Sequence, residues 1–548
     1  MSEIICKTLS AMEKILPDRE PTLVETNGMT FKNEPFHFQL AFCCKEHHDR
    51  GEFGLQLKVE GELKDCVALA KESLVPSYVT STNADDYYLE KGACLIPDPL
   101  KPITPMGLNL PVGRWMGVWV SVRLPKGVKA GTYQMKFMLT TFQGEPLKEL
   151  NYTLEVLNAE LPETDLCLTN WMHYDGIARQ HGVELFSDEF YQVFASYLKL
   201  YVDGGFNMLL TPIFTPPLDT NHHIYRKKAQ LVDVKKTEDG YEFTFEKLKK
   251  FIEFVTARGV KYIEFSHLFT QWGAEFCPQI WANVNGEEKR IFGWDVQSSD
   301  PEYVKFLEQF FARLGEFLRE EELLGKCYFH LTDEPNEDQI EAYARCCESV
   351  KKHIGDMPIM DALHSYSFYQ KKLVDIPVVS IGAYQNFEQH DVPNLFVYNC
   401  CGPAGEYYSN RFMNMPSQRT RVLGVQLYQT GVQGYLHWGY NFYNSWLSFE
   451  PVNPYEDTTA GGVFPAGDCF IVYPYENGAI PSVRHAVVQM GFNDYRALKL
   501  LESLIGKEKV DGLLQEWGLN GYTVYPREPE AMDSLRRKIN LLIQENID

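Results

Sequence analysis

The chain lacks the short signatures of several large protein classes. Neither G-x-G-x-x-G nor G-x-x-x-x-G-K occurs, so no glycine-rich phosphate cradle is expected. There is no C-x-x-C, which removes zinc ribbons and thioredoxin-like redox motifs. There is no H-E-x-x-H or H-x-x-x-H, and His222-His223 is only an adjacent pair in a polar stretch. No metal and no cofactor is expected. Cationic residues are outnumbered: 52 Lys and Arg stand against 74 Asp and Glu, a net charge of -22. Nucleic acid and anionic membrane surfaces are poor partners for such a chain. The opening MSEIICKTLSAMEKILPDRE has no basic segment followed by a long apolar run, and no stretch is long enough for a membrane helix. A cytoplasmic protein is expected. The 13 cysteines, six of them in the doublets Cys43-Cys44, Cys346-Cys347 and Cys400-Cys401, then read as reduced and mostly buried.

What is present centres on Cys327–Asn336, CYFHLTDEPN. A short apolar run reaches two adjacent carboxylates, Asp333 and Glu334. Pro335 has no N–H to give a sheet, so the strand stops there. Asn336 with Gln339 reads as a capping box opening a helix, and Ile340, Tyr343, Ala344, Cys347 and Val350 follow at helical spacing. A carboxyl pair between strand and helix suits acid/base chemistry. Helix capping alone accounts for it equally well. Alternation sets a condition: both carboxylates reach one substrate only if the pleat is lost near Asp333. Pro335 pushes Glu334 towards an extended backbone and favours a break there.

With 548 residues, 45% of them hydrophobic, the chain can bury more than one core. Residues 1–160 alternate apolar and polar with period two, as in Phe36, Phe38, Leu40 and Phe42, and in Met116, Val118, Val120 and Val122. Gly127 and Gly131 mark turns. This predicts an N-terminal β-sandwich. From 161 to 505 short apolar strands alternate with amphipathic helices. The eight strand candidates are Leu166–Trp171, Met208–Ile213, Tyr262–Phe265, Tyr328–Thr332, Ile359–Leu363, Val378–Ile381, Leu395–Tyr398 and Gly434–Trp438. Helices are predicted from Asp188 to Asp203, from Phe245 to Arg258 and after Asp300-Pro301. The count predicts an α/β protein with a (β/α)8 TIM barrel, followed by a helical extension over 506–548.

Active sites of such barrels lie at the C-terminal strand ends. There the sequence places Asn170, His173, His267, Trp272, Asp361, Tyr384, Tyr398, Trp438, Tyr440 and Asn441. Aromatic walls with amide, imidazole and carboxyl groups between them suit a carbohydrate. For each residue alone, packing in the core is the commoner role.

The segments HYDGIARQHGVELFS, LLTPIFTPPLDT, YIEFSHLFTQWGA, CYFHLTDEP, NRFMNMPS, LGVQLYQTG and GYLHWGYNFYNSW together resemble glycoside hydrolase family 123, over about 165–505. The resemblance implies an N-terminal sandwich, a (β/α)8 barrel and hydrolysis of terminal β-N-acetylgalactosaminides by a retaining, substrate-assisted mechanism. In it Glu334 is the general acid/base, and Asp333 orients the 2-acetamido group, whose own oxygen is the nucleophile. Two rivals stay open. One is a conventional two-carboxylate glycosidase with Glu264 or Asp361 as nucleophile. The other is a non-catalytic carbohydrate-binding protein. Oligomeric state is not legible.

Overall fold

The structure is a computed structural model that describes residues 3–45, 51–78, 83–222, 224–355 and 357–547. Its N-terminal part is a pair of five-stranded sheets. In one, Phe36–Lys45 pairs antiparallel with Glu3–Ser10 and Trp115–Val122. In the other, Gly131–Thr140 lies between Glu52–Glu60 and Pro146–Val156. The alternating apolar faces meet between the sheets: Phe38, Leu40, Val118 and Val120 pack with Phe137, Leu139, Tyr152 and Leu154. Phe38 stacks on Tyr152 at 3.8 Å. Gly127 and Gly131 turn the chain with φ of 83° and 152°, values a side chain disfavours.

Eight parallel strands follow: Cys167–Asn170, Met208–Thr211, Tyr262–Phe265, Cys327–Phe329, Met360–Leu363, Ile376–Ser380, Phe396–Tyr398 and Gly434–His437. They are called here the first to eighth barrel strands. Each falls inside or beside the predicted candidate. Seven of the neighbouring pairs are laddered, whereas the fourth and fifth strands are joined only by the bridge Phe329–Ile359. The ring is therefore nearly closed. At this seam a side chain replaces the ladder: Asp361 Oδ1 accepts from the Leu331 N–H at 3.0 Å and Oδ2 from the Thr332 N–H at 3.4 Å.

Helices start where their caps stand. Ser187 caps Asp188–Asp203 and Asp300 caps Pro301–Glu320, with proline in the first turn. Two features depart from the regular alternation. Strands Asp233–Lys236, Tyr241–Thr244, Ile280–Val284 and Glu287–Phe292 form a separate four-stranded sheet inserted after the second and third barrel strands. The connections after the fifth and sixth strands hold only one-turn helices, Ser367–Gln370 and Gln385–Glu388.

The long helix Val483–Ile505 and the last helix, Ala531–Asn546, tie the two halves together. Buried Arg484 pairs with buried Asp98 at 2.9 Å, and the half-buried Arg536 reaches both Glu34 and Asp494, which are buried. One apolar core runs from Phe31, Val75 and Ile96 of the sandwich into the barrel.

Candidate active site

A cleft of about 740 Å³ opens at the C-terminal ends of the barrel strands. Asp333 and Glu334 both line it. The pleat is lost as their joint use requires, because strand pairing stops at Phe329 and the chain continues to Glu334 as loop. The backbone at Glu334 is not extended, as Pro335 alone would favour, but has φ of 47°. Such a conformation is costly for a residue with a side chain and must be held from outside. The Glu334 N–H donates to the Ala362 carbonyl at 3.1 Å, and the Asp333 carbonyl accepts from the Trp272 N–H at 2.8 Å. Gln339, in the capping box with Asn336, also donates to the Trp272 carbonyl at 2.7 Å. Trp272 itself has φ of 62° and is 42% exposed at the cleft mouth.

The Tyr398 hydroxyl donates to Glu334 and lies 3.2 Å from His364 Nε2. Burial, and then the Glu334 charge beside it, pushes the Asp333 carboxyl well above the usual carboxylate range; the charge of His330 offsets this only in part. Two adjacent carboxyls in such a site do not both ionise readily. The Asp333 carboxyl is therefore biased towards its protonated form.

Beneath the pair lies a buried ionic layer. His330 Nε2 is 2.5 Å from Glu264 and Nδ1 is 3.2 Å from Asp361, all fully buried. Burial disfavours the imidazolium, but hydrogen bonds to Asp361 and Glu264 and the charges of both raise the His330 pKa to about 9. Glu264 is fully engaged, accepting also from Thr169 Oγ1 at 2.7 Å and from the Trp171 indole at 2.6 Å. Asp361 holds the barrel seam and accepts from the Tyr343 hydroxyl at 2.6 Å. Neither lines the cleft. As conventional nucleophiles, Glu264 and Asp361 are misplaced.

Of the residues singled out from the sequence, Asp333, Glu334, Trp272, Tyr398 and Trp438 come together in the cleft. The other seven lie outside its lining. Asp361 is a seam residue, as above. Asn170 is fully buried, with both amide atoms unpartnered by protein. His173 is wedged between the Trp438 carbonyl at 3.0 Å and Arg226 at 3.2 Å. Burial and the Arg226 charge hold its pKa at about 3, so it is neutral. Asn441 clips the His173 backbone with bonds of 2.9 and 3.0 Å. Tyr384 packs edge-on against Tyr522 at 5.2 Å. His267 stacks on His330 at 4.4 Å. Tyr440 is buried and donates to the Tyr197 carbonyl at 2.9 Å. Tyr440→Phe should remove this bond, while the carbonyl keeps its place within the helix Asp188–Asp203, and lower stability by about 0.5–1.5 kcal/mol. Turnover at a temperature where the variant is folded should be unchanged. A large loss of turnover without a lower melting point would return Tyr440 to the site.

The cleft also contains residues outside that set. Trp171 forms its floor with Leu436, and Trp446, 44% exposed, faces its mouth. Asp219 enters from the loop after the second strand, held through its carboxylate by the Leu447 N–H at 3.0 Å. Burial raises its pKa to about 6. Gln271, Phe464, Cys400 and Cys401 complete the walls. Trp171 was legible in principle, since it follows Asn170 directly and takes the opposite face. Asp219 carried no local signal beyond its proline-rich loop.

His267, His330 and Asp361 bring ligand-type atoms within 4.8 Å of one another. The arrangement does not fit a metal ion. The imidazole rings are stacked with 21° between their planes, whereas a shared ion must lie near the plane of both. His330 already uses both nitrogens on carboxylates. His222 stacks on Trp294 at 4.8 Å, and His223 lies outside the described residues.

A sandwich followed by a barrel, with a carboxyl pair between tryptophans at the strand ends, suits a carbohydrate-cleaving enzyme. Residues 171–501 match the family "Glycoside hydrolase 123, catalytic domain". The chain belongs to glycoside hydrolase family 123, and it is a glycosidase. A family 123 glycoside hydrolase from Clostridium perfringens, described for glycolipid glycan hydrolysis, has the same fold: TM-score 0.75 at 16% identity, covering 99% of this chain and 98% of that one. A GH10 xylanase from Thermobacillus composti aligns over 60% of this chain and 97% of its own, at 12% identity and TM-score 0.31. No curated protein matches the sequence. No described helix is long and apolar enough to cross a membrane.

Proposed function

We propose that the protein hydrolyses terminal β-N-acetylhexosaminides, of the galacto series, by a retaining, substrate-assisted mechanism. The observation that carries this reading is the adjacency of Asp333 and Glu334 on one cleft, while Glu264 and Asp361 are locked beneath it. A conventional retaining pair sits about 5–5.5 Å apart across the sugar. Neighbouring residues on one loop suit a different division of labour. The substrate's acetamido N–H donates to Asp333, which favours the ionised form of that carboxyl, and Glu334 serves as the proton donor. The acetamido oxygen attacks the anomeric carbon as Glu334 protonates the departing oxygen, leaving an oxazoline. Water, deprotonated by Glu334, opens the ring from the other face. Two displacements preserve the anomeric configuration. Tryptophans 171, 272, 438 and 446 supply flat apolar walls for the sugar. The galacto preference rests on the family resemblance.

We propose the domain division 1–160, 161–505 and 506–548, with chemistry confined to the second. Asp219 is the third carboxylate on the cleft, and it gives a second reading: a conventional pair of Glu334 with Asp219. Proton NMR of the first-formed sugar tests retention; an initial α-anomer from a β-glycoside excludes both retaining readings. An aryl glycoside bearing a 2-hydroxyl in place of the acetamido group separates them, since only the conventional pair should cleave it.

Glu334→Gln should slow substrates with poor leaving groups by about 10²–10⁴-fold while largely sparing activated aryl glycosides, which need little proton donation. The check is the dependence of rate on leaving-group pKa. A slope equal to that of the wild type would show that Glu334 is not the acid.

A further inference from the structure

Three cysteine doublets occur in the sequence, and the fold treats them differently. Cys43 and Cys44 lie on a sandwich strand, where neighbouring side chains take opposite faces, and both are buried. Cys346 and Cys347 lie on a helix, 100° apart around its axis, and are also buried. Cys400 and Cys401 stand just past the end of the seventh barrel strand, where neither rule holds. Both are partly exposed and both line the active-site cleft. They share that cleft with Glu334. The backbone beneath them is fixed: Asn410 Nδ2 donates to the Cys400 carbonyl at 2.8 Å and to the Pro403 carbonyl at 2.9 Å.

We propose that Cys400 and Cys401 form a dithiol site for trivalent arsenic and similar thiophilic centres, whose occupation blocks the cleft. Direct oxidation of the pair is the poorer chemistry. Adjacent α-carbons are about 3.8 Å apart, whereas disulfides usually span roughly 4.4–6.8 Å. A bridging atom that bonds both sulfurs relieves that constraint. The step balances without an oxidant. An organoarsenic(III) oxide, R–As=O, meets two thiols; two As–S bonds form, the As–O bonds break, and both thiol protons leave with the oxygen as water. The first As–S bond makes the second intramolecular, which gives chelation its advantage over single cysteines. The cysteines half-exposed elsewhere, Cys6, Cys66, Cys94 and Cys167, have no adjacent thiol in the sequence.

The test uses the full chain and phenylarsine oxide. Native mass spectrometry should show one adduct per chain at stoichiometric reagent, with hydrolysis of an aryl glycoside lost in proportion. 2,3-Dimercaptopropanol should reverse both, and 2-mercaptoethanol at equal thiol should not. The tryptic peptide 373–411 contains Cys400 and Cys401 and no other cysteine; the arsenic should be found there in the wild-type protein. Cys400→Ser and Cys401→Ser should each raise the reagent concentration for half-occupancy by about 100-fold or more. Cys346→Ser should leave the adduct unchanged. An adduct on another peptide, no adduct at stoichiometric reagent, or full activity in the loaded protein would overturn the proposal. Peptide mapping needs no variant, so a Ser variant that fails to fold does not shield it.

Discussion

Asp333→Asn is expected to lower turnover of an activated aryl β-N-acetylhexosaminide by about a hundredfold to a thousandfold, with substrate affinity much less affected. In the proposed mechanism the substitution keeps the size of the side chain but removes the charge that faces the acetamido nitrogen as that group becomes cationic. In a site shielded from water such fixed charges contribute a few kcal/mol to the transition state. The pattern is opposite to that of Glu334→Gln, because the acetamido group attacks whatever the leaving group is. A loss in kcat and kcat/KM together marks an interaction made in the transition state. Near-wild-type turnover would leave Asp333 as a residue that merely shapes the loop before the helix.

The second large effect is on folding. His330→Leu should destabilise the protein by about 3–5 kcal/mol, because it leaves the Glu264 and Asp361 carboxylates buried without their cation. The wild type should also show a specific pH dependence. The folded His330 pKa of about 9 lies above the ordinary value of 6.5, so the imidazolium's contribution is complete below about 6.5. It is lost as pH climbs through about 9. Thermal melts of both proteins from pH 6 to 10 check this: the wild type should lose stability across that range, and the variant should lack this limb. A change below about 1 kcal/mol at pH 7 would mean that the layer under the catalytic loop is not an ion triad.

The barrel was legible because its strands are short apolar runs separated by capped helices. Ser187 with Asp188, and Asp300 with Pro301, announce helix starts that the structure places at the same residues. The inserted sheet was not, since strands such as Asp233–Lys236, DVKK, are too short and polar to show a periodic face. At the site, the carboxyl pair was legible as strand-end chemistry. Its geometry was not, because the φ of Glu334 is set by the Ala362 carbonyl, which is remote in sequence. Residue type at a strand end also does not tell depth. His267, Asp361 and Tyr440 have the chemistry of ligand contacts, yet the first two are spent on the layer below the cleft and Tyr440 on the helix Asp188–Asp203. Trp446 and Asp219 reach the cleft from long loops, where period-two reasoning has no purchase.

Substrate assistance is tested most directly by fluorinating the substrate's acetamido group. Fluorine withdraws electrons from the carbonyl oxygen and weakens it as a nucleophile, while the leaving group and sugar ring stay the same. Across aryl glycosides carrying acetyl, fluoroacetyl, difluoroacetyl and trifluoroacetyl groups, kcat should fall steeply with each added fluorine. A rate independent of fluorination would contradict a nucleophilic acetamido group and hand the reaction to an enzyme carboxylate.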